Sequence, residues 1–231
     1  MEALFTCGGV LLICVASLFR RDEARRQDVL TALLFSLFIA LGAFLHLLLE
    51  RYCASTLDPQ FLAMDRALGF DPIAVSARLW RHPVLIYVLR FVYMTVPITI
   101  GVAWVAEQNH VMRAACLLGG IACFPFYMLF PAVGPAFYNW HLQTALAAPR
   151  NCMPSMHLTW TILLAWNARH KWLRSGLWLY AALTAVATIA AGEHYLIDLL
   201  AAIPYSAAIQ YAALRLVGKR APALARVAET S

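Results

Sequence analysis

The stretch Ala191-Gly192-Glu193-His194-Tyr195-Leu196-Ile197-Asp198-Leu199-Leu200-Ala201 is a polar corner set between two apolar runs, roughly 174–191 and 195–217. Each run has the length of a membrane span, because about 20 apolar residues rising 1.5 Å each cross the hydrocarbon of a bilayer. The two runs are separated only by the Gly192-Glu193-His194 corner. Five further runs lie upstream, at roughly 3–19, 29–48, 83–105, 112–130 and 155–169. Together they predict an all-α polytopic bundle of six to seven transmembrane helices, forming one integral membrane domain over residues 1–231.

Composition agrees. The 231 residues are 62% hydrophobic and 13% charged, with a mean hydropathy of +0.69. A soluble domain carries about 25% charge. The net charge of +6 does not point to nucleic acid, because the basic residues sit in short clusters between apolar runs. That arrangement orients membrane proteins. Arg20, Arg21, Arg25 and Arg26 follow the first apolar run instead of preceding it, so residues 4–19 read as a span and not as a cleavable signal. If the seven runs alternate, these arginines share one side with Arg113, with Arg169, Lys171 and Arg174, and with Lys219, Arg220 and Arg226. Short basic loops mark the cytoplasm. The N-terminus is therefore expected outside and the C-terminus inside.

The opposite side carries two longer loops. Loop 49–82 mixes acids and bases, and Phe61, Leu62, Met64 and Leu68 recur at helical spacing. An amphipathic helix lying on the membrane surface is expected there. The second loop, 131–154, opens with Pro131-Ala132-Val133-Gly134-Pro135 and closes on Pro154-Ser155-Met156-His157.

Chemistry-bearing residues converge on this second side. Pro154 suits the first turn of a helix. The N–H groups near Ser155 and Met156 would then face an anion, with the Ser155 hydroxyl and Arg150 completing a phosphate cradle. His157, in the first turn, could protonate a leaving oxygen. His194 and Asp198 are four apart, so on a helix they share a face. The carboxylate would fix the imidazole tautomer and free the other nitrogen to attack. Arg90, inside the run 83–105, is a candidate phosphate cation; snorkelling to the surface is its structural alternative. Glu193 and Tyr195 adjoin the histidine, and Tyr138 follows the proline-rich loop. These three are candidate head-group contacts. His46, His82 and His141 read as interface residues.

Pro-Ser-x-His followed some 40 residues later by His-x-x-x-Asp resembles the type 2 phosphatidic acid phosphatase superfamily. The resemblance implies a catalytic core over 112–205, with His194 as a nucleophile that forms a phosphohistidine, Asp198 orienting it and His157 as acid. Two departures stand out. Phosphatases of that superfamily usually carry Lys-x6-Arg-Pro before the Pro-Ser-x-His, and the matching place here, Phe130 to Pro135, has no basic residue. They also carry Ser-Arg ahead of the nucleophile, where this chain has Ala187-Thr188. His194-Tyr195-Leu196-Ile197-Asp198-Leu199 is more similar to the inositol phosphorylceramide and sphingomyelin synthase branch, which also lacks those cations. That branch implies a phosphorylated head group passed between phospholipid and sphingolipid substrates at the non-cytoplasmic face. The alternatives left open are a lipid phosphatase with water as acceptor and, from the intramembrane His and Asp alone, a lipid transporter or scramblase.

Six cysteines show no metal-ligand spacing, and neither does any set of histidines. No metal and no other cofactor is expected. Cys53 and Cys152 fall in loops of the same side, where a disulfide is open to them in an oxidising compartment.

Overall fold

The computed structural model describes residues 55–107, 109–139 and 152–228, with scattered positions between 15 and 51; beyond 218 only the backbone is described. The expected runs 3–19 and 29–48 lie outside this set, apart from scattered helical positions from 29 onward. Among the described residues the secondary structure is wholly helical. It comprises α1 (Asp58–Ala67), α2 (Pro72–Leu79), α3 (Pro83–Met94), α4 (Val96–Glu107), α5 (His110–Ala122), α6 (Phe124–Leu129), α7 (Pro135–Asn139), α8 (Met156–Asn167), α9 (Lys171–Ala191) and α10 (Leu196–Ala228).

Among the described residues, three segments are long and apolar enough to cross a membrane: His110–Leu129, Lys171–Ala191 and Leu196–Gly218. The expected span 83–105 is broken. α3 and α4 meet at a 47° bend, and they make a fourth span only if counted as one. Pro97 explains the break, because it lacks the N–H that the Tyr93 carbonyl would accept and its ring crowds that carbonyl. Thr95, at the corner, turns its hydroxyl back to the Val92 carbonyl and meets the Tyr180 hydroxyl at 2.9 Å.

The expected span 155–169 is also corrected. α8 has 12 residues, about 18 Å of helix, which falls short of a bilayer's hydrocarbon. It is the central post of the bundle, packed against α4, α5, α9 and α10. Nearly all of it is buried, including Leu158, Ile162, Leu163, Leu164 and Ala165. Leu163 and Leu164 join Val96, Ile100, Trp104, Met112, Cys116 and Ile209 in the main core. Gly119 on α5 faces Leu163 of α8 and Ile209 of α10, and Tyr205 of α10 donates its hydroxyl to the Gly119 carbonyl.

The end of the bundle away from the Pro-Ser-Met-His segment is closed by polar side chains. The buried Glu107 carboxylate accepts the N–H groups of Arg169 and His170 at 2.8 and 3.3 Å, capping the start of α9 from another helix. Asn167 and Gln210 exchange amide hydrogen bonds at 2.7 and 3.0 Å.

The loop 49–82 differs most from expectation. It holds two helices, α1 and α2, the second capped by Asp71, whose carboxylate accepts from Ile73 and Ala74. α1 is amphipathic, but Met64 and Leu68 point outward, 47% and 57% exposed. Its buried stripe is Asp58, Phe61, Leu62 and Asp65, the i, i+3, i+4, i+7 face. Phe61 packs edge-on to Tyr195. α1 is therefore docked on protein, against α7 and the start of α10.

Two glycines fix how the loops meet. Gly134 has φ +93°, and a Cβ there would lie 2.5 Å from the Glu193 carbonyl oxygen; a Cβ on Gly192, at φ +74°, would lie 2.6 Å from that of Ala136. The backbones are locked by a 2.9 Å bond from Ala136 N–H to the Gly192 carbonyl. Gly134→Ala should destabilise the protein by more than about 1 kcal/mol, read as a lowered Tm in detergent, since both the positive φ and the contact oppose a side chain.

Candidate active site

The His194–Asp198 pair forms differently from the helical reading. α10 starts at Leu196, so His194 sits in the turn ahead of it. Asp198, third residue of the helix, reaches back and accepts the Tyr195 N–H at 2.8 Å, as the acid of a capping box does. The same oxygen, Oδ2, faces His194 Nδ1 at 3.4 Å. Both residues are buried, His194 at 4% exposure and Asp198 at 0%. Helix capping thus delivers the carboxylate to the imidazole, and Nε2 is the nitrogen left for chemistry.

The second motif abuts the first. The Met153–Pro154 bond is cis. Ser155, extended at φ −66° and ψ 109°, is the cap residue of α8, so Pro154 lies ahead of the helix and not in its first turn. The Ser155 N–H donates to the Asp198 carbonyl at 3.3 Å. That bond ties the two helix starts together, and it occupies the Ser155 N–H, one of the groups expected to face an anion. His157 is half-buried and stacks on Tyr93, with centroids 3.9 Å apart and planes 23° apart; Trp160 meets it edge-on. The imidazoles of His157 and His194 are close enough to interact electrostatically.

Three buried polar atoms here make no hydrogen bond among the described residues: Ser155 Oγ, Thr159 Oγ1 and Asp198 Oδ1. A buried hydroxyl without a partner carries a desolvation cost of roughly 1–3 kcal/mol. A ligand or water that bonds to these atoms would remove it.

The carboxylates of α1 hold this centre from one side. Asp58 Oδ1 accepts the Tyr195 hydroxyl at 2.8 Å and the Gly134 N–H at 3.0 Å, and Val133 N–H bonds to the same carboxylate. Asp65 accepts the N–H groups of Leu196 and Ile197 at 2.7 and 2.9 Å, one on each oxygen. Burial raises the Asp65 pKa, and the Leu196 and Ile197 N–H groups oppose that rise. Neither acid, nor Tyr93, nor Thr159, was singled out from sequence. For the acids the available signal was their spacing: they sit seven apart, on the apolar stripe of an amphipathic helix.

Other expected residues are placed elsewhere. Tyr195, expected to meet a head group, is fully buried, and burial together with the adjacent Asp58 carboxylate raises its pKa and keeps it a donor. Arg90, expected on a phosphate, is exposed and lies over the Trp80 ring at 5.8 Å. α3 turns its Ile86–Leu89–Tyr93 face inward, which leaves Arg90 outside. Glu193 is half-buried, and Tyr138 on α7 is 36% exposed. Arg150, His46, His141 and Cys53 lie outside the described residues. Cys152 is a buried free thiol that donates to the Glu193 carbonyl at 3.2 Å. Burial raises its pKa well above the ordinary value. Cys152 Sγ, His194 and Asp198 offer ligand atoms within 4.8 Å of one another, a set able to hold a soft cation. Ala187 and Thr188, on the last turn of α9 ahead of His194, are fully buried. The Val133 and Gly134 N–H groups are held by Asp58.

With this geometry in view, the family profile of the PAP2 superfamily matches residues 59–212, more than half of the chain. The chain belongs to the PAP2 superfamily. The match spans α1 through the first half of α10 and contains both histidine motifs. Members of this superfamily are phosphatases and phosphotransferases acting on phosphate esters. No curated protein and no solved structure matches the chain.

The orphaned and the satisfied hydroxyls should respond differently to removal. Thr159→Val gives up no hydrogen bond and should leave the Tm unchanged or raised. Ser76→Ala breaks the buried 3.0 Å bond from Ser76 to the Ala190 carbonyl and should cost about 1 kcal/mol. Thermal unfolding of the two variants in one detergent compares them directly.

Proposed function

We propose that this protein is a membrane-embedded phosphotransferase that moves a phosphorylated head group between lipids through a phosphohistidine at His194. The observation that carries the reading is the buried His194–Asp198 pair tied, through the Ser155 N–H, to the start of the helix that bears His157.

In this reading His194 Nε2 attacks phosphorus in line. The bond from phosphorus to the donor's lipid alcohol breaks, and His157 gives that oxygen its proton. His157 then takes the proton of an acceptor hydroxyl, which attacks the phosphohistidine and releases His194. Asp198 stabilises the charged imidazole in both steps. The Ser155 and Thr159 hydroxyls, the first-turn N–H groups of α8 and Arg150 bind phosphate oxygens, so that catalysis is mostly positioning and charge neutralisation. A lipid acceptor, as in inositol phosphorylceramide synthases, is favoured by the His-Tyr-x-x-Asp-Leu pattern and by buried residues where phosphatases place cations. Apolar side chains exposed along the helices, such as Val84, Phe91, Leu179 and Leu214, fit substrates that arrive through the bilayer. The basic cluster at Arg169, Lys171 and Arg174 lies at the far end of α8, which favours a site on the non-cytoplasmic side.

The test is incubation of the purified chain with phospholipids labelled in the phosphate, with and without a ceramide acceptor. Acid-labile label on the protein, lost in His194→Ala, and transfer of label to ceramide are expected. His157→Ala should slow turnover by about 100-fold or more. Label released only as free phosphate or phosphorylated head group would assign water as the acceptor. Undiminished turnover of every phospholipid by His194→Ala would sink the reading.

A further inference from the structure

His194 is a loop residue, so its position depends on how the backbone on either side is anchored. On one side the Glu193 N–H bonds to the Thr188 carbonyl at 3.1 Å, and the Gly192 and Glu193 carbonyls are held by Ala136 N–H and Cys152. On the other side, residues 195–197 are the opening of α10, whose N–H groups have no intrahelical acceptor. α1 supplies what is missing. Asp65 takes the Leu196 and Ile197 N–H groups, and Asp58 takes the Tyr195 hydroxyl together with two N–H groups of the 131–135 loop.

We propose that Asp65 and Asp58 are positioning residues, which clamp the turn bearing His194 against the loop that precedes α7 and so set the attack geometry. The proposal rests on the phosphohistidine reading for its kinetic part only. Both carboxylates are fully buried. Such burial is costly unless every charge is answered by donors, and here the donors are backbone groups adjoining the nucleophile.

The two acids bear their loads differently. Asp65 uses both oxygens, one per N–H. An amide in its place would turn its NH2 group against one of those donors. At Asp58, Oδ1 receives both the Gly134 N–H and the Tyr195 hydroxyl, and Val133 N–H sits 3.2 Å from Oδ1 and 3.1 Å from Oδ2. An amide oxygen placed at Oδ1 retains the Gly134 and Tyr195 bonds and the 3.2 Å bond from Val133, and loses only the second Val133 contact at Oδ2, where the NH2 group would stand. Asp65→Asn is therefore the severe variant and Asp58→Asn the mild one, although both remove one charge.

The experiment uses the full chain in detergent. Amide hydrogen exchange over residues 193–199 needs no substrate. It should quicken at least about tenfold in Asp65→Asn and less than about threefold in Asp58→Asn, with residues 160–186 unchanged. With phosphatidic acid in mixed micelles as donor probe, Asp65→Asn should lower kcat about 100-fold while KM stays within about threefold. Tyr195→Phe, which removes only the hydroxyl, should lower kcat several-fold at unchanged KM. Exchange at 193–199 that matches wild type in Asp65→Asn overturns the proposal. So does exchange that rises equally across 160–186, or equal effects of the two Asn variants. Turnover surviving in His194→Ala would instead defeat the phosphohistidine reading and leave the exchange result standing as the test of the clamp.

Discussion

Carboxylates buried in a low-dielectric interior must be met by donors, and most of this active site follows from where those donors are. Asp58, Asp65 and Asp198 are all fully buried. An ionised carboxylate without partners is costly by several kcal/mol in such a place. The groups that meet them are the Val133, Gly134, Tyr195, Leu196 and Ile197 N–H groups, the Tyr195 hydroxyl and the His194 ring. Satisfying the acids and assembling the site are one event. A chain that failed to bring these loops together would strand the charges and would also lack a site.

The same device closes the other end of the bundle, where Glu107 accepts two N–H groups at the start of α9. Helix starts in this fold are thus capped from neighbouring helices as well as from their own sequence. At α10, whose start is covered by α1, this supplies acceptors that an exposed first turn obtains from solvent. It also permits the corner at 192–195 to be short. α10 needs no cap side chain of its own at Tyr195, which frees that residue to pack on Phe61 and bond to Asp58.

The apolar runs from residue 83 onward, the corner at Gly192 and the two histidine motifs were legible in sequence because each is a local pattern. Tight spacing made His194 and Asp198 readable as a pair, although a capping interaction and not a shared helix face unites them. Asp58 and Asp65 were hidden for the converse reason. Their partners lie more than 70 residues away and, apart from the Tyr195 hydroxyl, are backbone groups, which carry no side-chain signature. Acids in a mixed-charge loop also read as solvated. Arg90 misled through the general rule about charges in apolar runs: one step around α3 from Leu89, it faces out over Trp80. The bend at Thr95 was written in Pro97, but the apolar run passes through it without a change in composition. That bend brings Tyr93 onto His157, so the kinked helix furnishes the floor on which the candidate acid rests.

A clamp that grips backbone has an evolutionary consequence. Val133, Leu196 and Ile197 offer Asp58 and Asp65 only their N–H groups, which any residue except proline possesses. Those positions are free to drift among relatives, while the acids opposite them are not. Gly134 is held as firmly, by its contact with Glu193. Natural variation in the superfamily should therefore show two fixed acids opposite changeable positions, and among the described residues Tyr195 is the one side chain that bonds to either of them. A search for coupled positions would pass over Asp65, which grips the start of α10 through backbone alone.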